Sequence, residues 1–368
     1  MKAGMFVDKP LPSERPTGIG IAAYNMALAL SKRGTTVHFV CRGAVEDSAV
    51  LNDHLTVQTI RNYSRGNGRI ALDILRREDP DVIHVHSSAA LPSLLLGRAL
   101  GRRIVMHSHG DEPLRPISLT LMRKIGMNFS HRVVAVSQST RQELIKNQHQ
   151  SPEKVVVAYN GVDVDNFKPS PTQDYVSSKY GLERYDRMML SLGAVQDRKG
   201  QSTIIDCLPR ILQRWPNLVF VNIGAAYDQS YKKWLMEKAE GLGVERSVKF
   251  LENLPQEDLI AIINSSDVCL HPSTKEAFGL AVVEEMACGR AVLAFNIGAI
   301  PEIIDDRIDG LLIEPNAAEE LTRSILEILE NPQLAKRLGD AARLKVTSKF
   351  TWDQTASRLE KIYSETLS

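Results

Sequence analysis

Short apolar runs alternate with longer amphipathic segments along almost the whole chain. Runs such as 188–195 and 219–223 have the length of a buried strand, and each precedes a segment with helical spacing. Strands that alternate with helices in this way predict two doubly wound parallel sheets of the α/β class. The alternation is interrupted near residue 166, just before a polar, proline-rich passage. We therefore predict one domain over residues 1–166 and a second over residues 167–350.

Length and composition agree with this picture. The chain has 368 residues, of which 43% are hydrophobic and 24% charged, as in soluble globular proteins of two domains. A net charge of +1 gives no reason to expect a nucleic-acid partner. No apolar stretch resembles a signal peptide or approaches the length of a membrane span. Four cysteines without paired spacing favour reduced, buried thiols, so we expect a cytoplasmic protein.

The stretch from Asp267 to Glu302 combines an apolar run, a loop, a helical segment that ends at Gly289, and a second apolar run. The loop presents Glu276, and the helical segment carries Glu284. A helix start offers free backbone N–H groups and a positive dipole end, which suit a phosphate. The two carboxylates could then hold polyhydroxylated groups on either side of that phosphate. Two solvated acids on the surface of a parallel-sheet domain are the alternative.

Two further loops lie between a predicted strand and a predicted helix. In the first, Arg198 and Lys199 precede a helix start, where the dipole disfavours cations, so a bound anion would explain them. Ordinary surface charge is the alternative. In the second, Gly18 and Gly20 would let the backbone approach a ligand at a helix start, although ordinary tight turns also use glycine.

Four histidines lie at or beyond the ends of two predicted strands in the first half. His84 and His86 share one strand face, as would His107 and His109 if their strand continues. Two H-x-H pairs raise the question of a metal ion. No Asp or Glu accompanies them at a recognised ligand spacing, so we predict no metal site. Ends of parallel strands are also where open α/β sheets bind ligands.

The segment Arg115–Arg132 is amphipathic and carries interspersed basic residues. A surface helix of an α/β layer explains it. The alternative is a contact with a lipid acceptor or with the inner face of the membrane, which would make the protein peripheral.

Two longer sequence segments resemble those of a known protein family. The phrase HPSTKEAFGLAVVEEMACG closely resembles the donor-site signature of family-4 retaining glycosyltransferases of the GT-B fold, in which two glutamates are separated by seven residues. The phrase NIGAIPEIIDDRIDGLLIEP is similar to the family's continuation, and the resemblance covers nearly the whole chain. It implies two Rossmann-like, doubly wound parallel-sheet domains that face each other across a cleft. It also implies that the C-terminal helix, 351–368, crosses back to the first domain.

The resemblance implies a function as well. Family members transfer a hexosyl unit from a nucleotide-diphosphate sugar to a hydroxyl group with retention of configuration. The expected acceptor is a saccharide or a lipid-linked group bound on the side of the first domain. The expected donor is a UDP-sugar, with GDP-mannose as the alternative, bound by the second domain. No cofactor and no metal ion are expected, since no metal-binding D-x-D is evident outside the interdomain turn.

The same resemblance implies individual roles. Lys199 would grip the donor diphosphate, Glu276 would hold sugar hydroxyls, and Glu284 would bind the ribose. His109 would lie beside the donor sugar and the acceptor. The other donor-binding positions it implies are Gly18, Gly20, Arg198, Phe278, Gly279 and Leu280.

At two positions the chain departs from the family pattern. Ala194 stands where the family has a diphosphate-binding arginine, and Arg198 is our candidate for the missing charge. Thr17 stands where the family usually has a further glycine. These departures leave open a non-catalytic protein that binds sugar nucleotides. A nucleotide-sugar epimerase, which shares the two-domain architecture and binds a similar donor, is the other alternative.

Overall fold

The structure, a computed structural model, divides the chain into two compact units. One comprises Met1–Gly161 with Thr351–Ser368, and the other comprises Val162–Phe350. The division therefore falls a few residues before the position at which the composition changes. The structure describes residues 1–11, 17–43, 46–61, 74, 77–86, 101–110, 117–171, 174–315 and 317–368.

Strands and helices alternate through both units. The strands of the described residues are β1 (Lys2–Pro10), β2 (Thr36–Gly43), β3 (Asp47–Asn52), β4 (Leu55–Arg61), β5 (Val82–Val85), β6 (Arg103–Ser108), β7 (Arg132–Ala135), β8 (Val155–Val157), β9 (Arg187–Leu192), β10 (Leu218–Ile223), β11 (Val248–Leu251), β12 (Val268–His271), β13 (Val292–Phe295) and β14 (Leu311–Ile313). The α-helices are α1 (Gly18–Lys32), α2 (Ile117–Phe129), α3 (Gln138–Gln148), α4 (Asp174–Tyr180), α5 (Gln201–Arg214), α6 (Gln229–Gly241), α7 (Gln256–Ser265), α8 (Leu280–Ala287), α9 (Ile300–Ile303), α10 (Ala318–Glu330), α11 (Pro332–Lys349) and α12 (Trp352–Leu367).

The sheet of the first unit has the order β3-β4-β2-β1-β5-β6-β7-β8. All neighbouring pairs are parallel except β3 and β4, which are antiparallel. The sequence analysis missed β3 because every residue from Asp47 to Asn52 is exposed, so the strand has no apolar periodicity. Most of the segment between β4 and β5 lies outside the described residues.

The last helix, α12, belongs to the first unit. It begins with a capping box in which the Thr351 and Gln354 side chains satisfy each other's backbone N–H groups. Its Arg358 Nε donates to the Val157 carbonyl at 3.1 Å. The Tyr363 hydroxyl lies 2.6 Å from His84 Nδ1 on β5. These contacts fix the C-terminal end of the chain to strands of the first sheet.

The second unit contains a parallel sheet with the order β11-β10-β9-β12-β13-β14. Its core consists of apolar residues from the strands and from helices such as α5 and α10, among them Leu208, Phe220 and Ile325. Strand order reverses between β9 and β12 here, and between β1 and β5 in the first unit. In open α/β sheets, ligands bind beyond the carboxyl ends of the strands at such reversals.

Two further predictions concern the whole chain. All four cysteines are buried free thiols, as their spacing predicted. Among the helices that the structure describes, none is both long and apolar enough to cross a membrane.

Candidate functional site

Lys199 and Glu276 follow the two strands at which the order of the second sheet reverses. Lys199 ends the short 3₁₀ turn Asp197–Lys199 after β9, and Glu276 lies in the loop after β12. The Lys199 Nζ donates to Glu276 Oε2 at 2.7 Å, and the side chains are only 15% and 17% exposed. The fold thus pairs a cation and a carboxylate 77 residues apart at the place where such sheets bind ligands.

Two glycines shape the loop that carries Lys199. Gly193 has a φ of +151°, and a Cβ atom there would lie 3.4 Å from Lys199 Cε. Gly200 has a φ of +74°, and a Cβ atom there would lie 2.1 Å from the Pro272 carbonyl oxygen. The sequence analysis overlooked Gly193 as a site residue. Its signal would have been a glycine directly after a buried strand.

The loop that carries Glu276 is held by its backbone. The Thr274 N–H donates to the Arg198 carbonyl at 2.9 Å, which joins this loop to that of Lys199. On the other side, the Ala299 N–H donates to the Glu276 carbonyl at 3.1 Å. Gly298 allows this approach, since a Cβ atom there would lie 2.1 Å from the same oxygen. The Glu276 carboxylate is therefore presented from a fixed backbone.

Both loops lead into helix N-termini. Helix α5 follows Gly200 and helix α8 follows Gly279, and neither glycine can supply a side-chain cap. Helix starts concentrate partial positive charge, which favours a bound anion. Phe278, 3% exposed, packs edge-to-face against Phe350 with ring centroids 6.0 Å apart, and Leu280 beside it is half-buried.

Arg198 lies on the same 3₁₀ turn as Lys199. Its Nε donates to the Gln196 side-chain oxygen at 3.2 Å, and the residue is half-buried. The turn thus brings a second cation to the start of α5, as the sequence suggested. Its use as a substitute for the arginine absent at Ala194 stays a prediction.

Helix α8 carries two neighbouring carboxyl groups. Burial, together with the nearby Glu285, raises the pKa of Glu284 to about 8. Glu285 is fully buried, and its Oε2 lies 2.5 Å from His271 Nε2. Burial also raises the pKa of Glu285, although His271 opposes this effect. The sequence analysis did not single out Glu285, which shares the inward face of α8 with Val282 and Met286.

In the first unit, Gly18 and Gly20 open helix α1. The Thr17 Oγ1 accepts a hydrogen bond from the Gly20 N–H at 3.1 Å and so caps the helix. A Cβ atom at Gly20 would lie 3.0 Å from the Pro10 carbonyl oxygen, so glycine allows α1 to start close to the end of β1. Thr17 thus has a structural use where the family pattern has glycine.

The four histidines form one cluster at the ends of β5 and β6. Neighbouring rings are stacked or tilted, with centroids 4.3–5.3 Å apart. His109 Nε2 lies 3.0 Å from His86 Nδ1, and burial lowers the pKa of His109 to about 4. His109 is therefore a neutral imidazole near pH 7.

The predicted amphipathic segment is only partly described. Its helix spans Ile117–Phe129, and residues 115–116 lie outside the described residues. Arg123 is 8% exposed, and its Nη1 donates to the Gly110 carbonyl at 3.3 Å. This basic side chain therefore points into the protein, whereas Phe129 is 42% exposed. Contact with a membrane stays a prediction.

Comparisons with known proteins bear on both units. Residues 16–166 match the family model Glycosyltransferase Family 4, and residues 174–345 match the model Glycosyl transferases group 1. A D-inositol 3-phosphate glycosyltransferase of Corynebacterium aurimucosum is 30% identical over 64% of this chain and 57% of its own length. This chain therefore spans less than two thirds of that relative.

Two other matches extend further. A GDP-mannose-dependent alpha-(1-6)-phosphatidylinositol monomannoside mannosyltransferase of Mycolicibacterium smegmatis is 30% identical over 77% of this chain and 77% of its own length. The crystal structure of HepE from Anabaena in complex with UDP and glucose is similar in fold, with a TM-score of 0.82. That match covers 99% of both chains at 23% sequence identity.

The two doubly wound α/β units and the similarity to the HepE structure show that the chain has the GT-B fold. With both halves matched by glycosyltransferase models, the chain belongs to the family-4 glycosyltransferases.

Proposed function

We propose that the protein is a retaining hexosyltransferase. It transfers a hexosyl unit from a nucleotide-diphosphate sugar to a hydroxyl group of a saccharide or lipid-linked acceptor. The observation that carries this proposal is the ion pair between Lys199 and Glu276 at the strand reversal, beside two helix N-termini. These groups offer a cation for a phosphate, a carboxylate for sugar hydroxyls, and two positive dipole ends.

In this mechanism, Lys199 and Glu276 release each other and contact the donor when it binds. Lys199 turns from Glu276 to the donor diphosphate, and Glu276 accepts hydrogen bonds from hydroxyls of the sugar. Because both side chains are already largely buried, little reorganisation is needed at the moment of transfer. The starting ion pair therefore keeps both charges in place before the donor binds.

The chemical step breaks the bond between the anomeric carbon and the leaving phosphate oxygen. A bond from the same carbon to the acceptor oxygen forms on the same face, and the acceptor's proton passes to the leaving phosphate. The transition state resembles an oxocarbenium ion, so negative charge grows on the diphosphate. Lys199, Arg198 and the starts of α5 and α8 stabilise that charge, and we propose that no metal ion is needed there.

Glu284 is the proposed ribose ligand. A carboxylate can accept hydrogen bonds from both ribose hydroxyls. We propose UDP-sugars as the first donor class and GDP-mannose as the second. The Anabaena structure contains UDP and glucose, whereas the Mycolicibacterium relative is named for GDP-mannose. The names of the relatives support an inositol-containing or lipid-linked acceptor, for which segment 115–132 would provide a peripheral membrane contact.

A binding screen tests the donor site. UDP-, GDP- and ADP-sugars are titrated by calorimetry into the wild type, Lys199→Ala and the control Lys233→Ala, whose side chain is 78% exposed. One nucleotide class should bind the wild type and the control equally, and Lys199→Ala at least tenfold more weakly, since a charge-assisted bond is worth about 1.5–3 kcal/mol. No binding to the wild type, or equal binding to all three proteins, would refute this site.

A further inference from the structure

Residue spacing alone does not favour a metal site in the first unit, because the four histidines lack an acidic partner at ligand spacing. The pairing of strands in the fold adds information that the spacing of the histidines along the sequence lacks. Strands β5 and β6 are parallel neighbours in which Val85 pairs with Met106. Residues alternate between the two faces of a sheet, so His84, His86 and His107 project on the same side, and continuation of this register places His86 beside His107.

Three of these imidazoles converge. His84, His86 and His107 are 0%, 4% and 2% exposed, and one ring nitrogen from each lies within 4.8 Å of the others. His84 Nε2 and His107 Nδ1 are 3.2 Å apart and share a hydrogen bond. Two nitrogens bound to one tetrahedral Zn²⁺ at 2.0–2.1 Å would lie about 3.4 Å apart. This pair therefore already has nearly the separation that two ligands of one ion require.

Two buried polar atoms of the cluster have no hydrogen-bond partner among the described residues. They are His86 Nε2 and His107 Nε2. A buried polar atom without a partner is costly, and native proteins rarely leave one unsatisfied.

The outer nitrogens are oriented as in metal sites. His84 Nδ1 lies 2.6 Å from the Tyr363 hydroxyl, which leaves His84 Nε2 to face the cluster. His86 Nδ1 lies 3.0 Å from His109 Nε2, which leaves His86 Nε2 to face it as well. A metal-bound histidine almost always has its second ring nitrogen held by such a hydrogen bond. Two of the three rings meet that condition.

We infer that His84, His86 and His107 form a site for a divalent transition-metal ion. The expected ligand atoms are Nε2 of His84, Nε2 of His86 and one ring nitrogen of His107. Imidazole ligands suit Zn²⁺, Co²⁺, Ni²⁺ and Cu²⁺, whereas Mg²⁺ and Ca²⁺ prefer oxygen. Three neutral ligands leave at least one position for water or an anion. The site lies in the first unit, whereas Lys199 and Glu276 belong to the second. His109, which the family resemblance places beside the donor sugar, contacts His86 at the edge of this cluster.

Cobalt binding tests this inference without any assay of transfer. The full-length protein, stripped with chelator, is titrated with Co²⁺ alone while its visible absorption is recorded. Zn²⁺ is then added in competition. We expect one Co²⁺ per chain with the intense visible bands of a tetrahedral site, displacement by Zn²⁺, and no displacement by Mg²⁺. The control His54→Ala, which removes an exposed histidine, should give the same spectrum.

Single-residue variants test which side chains bind the metal ion. His86→Ala and His107→Ala should each abolish the visible bands, provided that circular dichroism shows a folded protein. Tyr363→Phe keeps all three ligands and loses only the hydroxyl on His84, so it should weaken Co²⁺ binding by about tenfold or more. It serves as the test if the histidine variants do not fold. Absence of the visible bands in the wild type, their persistence in folded His107→Ala, or unchanged affinity in Tyr363→Phe would overturn the inference.

Discussion

At the scale of single residues, the paired charges of Lys199 and Glu276 are the central feature. Each is largely buried, and each would be costly to bury without the other. Truncating one residue therefore does more than remove a substrate contact, because it also leaves the other charge unpaired. Conservative changes are better tests of the individual roles than alanine.

The two glutamates are expected to differ. Glu276→Gln should lower turnover while keeping the affinity for free nucleotide, because Glu276 is assigned to the sugar. Glu284→Ala should weaken free nucleotide by about ten- to a hundredfold, because Glu284 is assigned to the ribose and a charge-assisted hydrogen bond contributes about 1.5–3 kcal/mol. Calorimetry with UDP or GDP alone distinguishes the two. Equal loss of nucleotide affinity in both variants would contradict these roles.

The raised pKa of Glu284 predicts a pH dependence. Below about pH 8 the free carboxyl group is protonated, whereas a ribose diol binds best to the ionised form. Donor affinity should therefore rise with pH, by nearly tenfold per unit between about pH 6 and 7, and level off above pH 8. Calorimetry with the intact sugar nucleotide from pH 6 to 8.5 measures this. Glu284→Gln should remove the slope, and an equal slope in that variant would assign it to another group.

Arg198 and Lys199 should act together if Arg198 replaces the charge absent at Ala194. Each alanine variant should then lower kcat strongly, because leaving-group charge grows towards the transition state. Arg198→Lys should recover only part, since lysine lacks the bidentate fork, and Ala194→Arg should partly rescue Arg198→Ala. If Arg198→Ala leaves kcat and donor KM unchanged within about twofold, Arg198 has no such role.

At the scale of the elements, the site depends on two loops that touch through backbone atoms. Gly200→Ala should be more damaging than an ordinary replacement of a left-handed glycine, because its Cβ would meet the Pro272 carbonyl at 2.1 Å. Gly243→Ala is the matched control: its φ is +68°, but no atom of the described residues lies within 4 Å of the added Cβ. The control should lose about 1 kcal/mol of unfolding free energy.

Gly200→Ala should lose more stability than Gly243→Ala in urea unfolding, because its loop or that of Glu276 must move. It should also weaken donor binding, which Gly243→Ala should leave unchanged. Equal losses of stability and unchanged donor binding in both variants would show that contact between the loops is unimportant for the site.

The elements also show where sequence reasoning succeeds. Buried strands such as β10 and β12 are mainly apolar, with a single polar residue each, so their positions could be predicted within a residue or two. Edge strand β3 is exposed throughout, and helix α4 follows a proline-rich passage, so neither has an apolar pattern of useful length. The contact between Lys199 and Glu276 depends on strand order, which local periodicity does not encode.

At the scale of the whole molecule, the chain passes between its two units twice, at 161–162 and at 350–351. The Val162 N–H donates to the Phe350 carbonyl at 2.9 Å, so the two crossings run side by side. Gly161 makes this possible, since a Cβ atom there would lie 2.3 Å from the Trp352 backbone nitrogen. The composition of the sequence indicated the first crossing, near residue 166. The second crossing, at 350–351, follows from the position of α12 in the first unit.

Acceptor-dependent release of nucleotide tests the central claim most directly. The protein is incubated with the sugar nucleotide that binds best, with and without a panel of inositol, saccharide and lipid-linked acceptors. Nucleotide release is measured, and NMR gives the anomeric configuration of the product. We predict release that requires an acceptor, a product with the donor's configuration, and strong loss of both in Lys199→Ala. Conversion of the donor sugar without an acceptor, an inverted product, or binding without turnover for every acceptor would contradict retaining transfer.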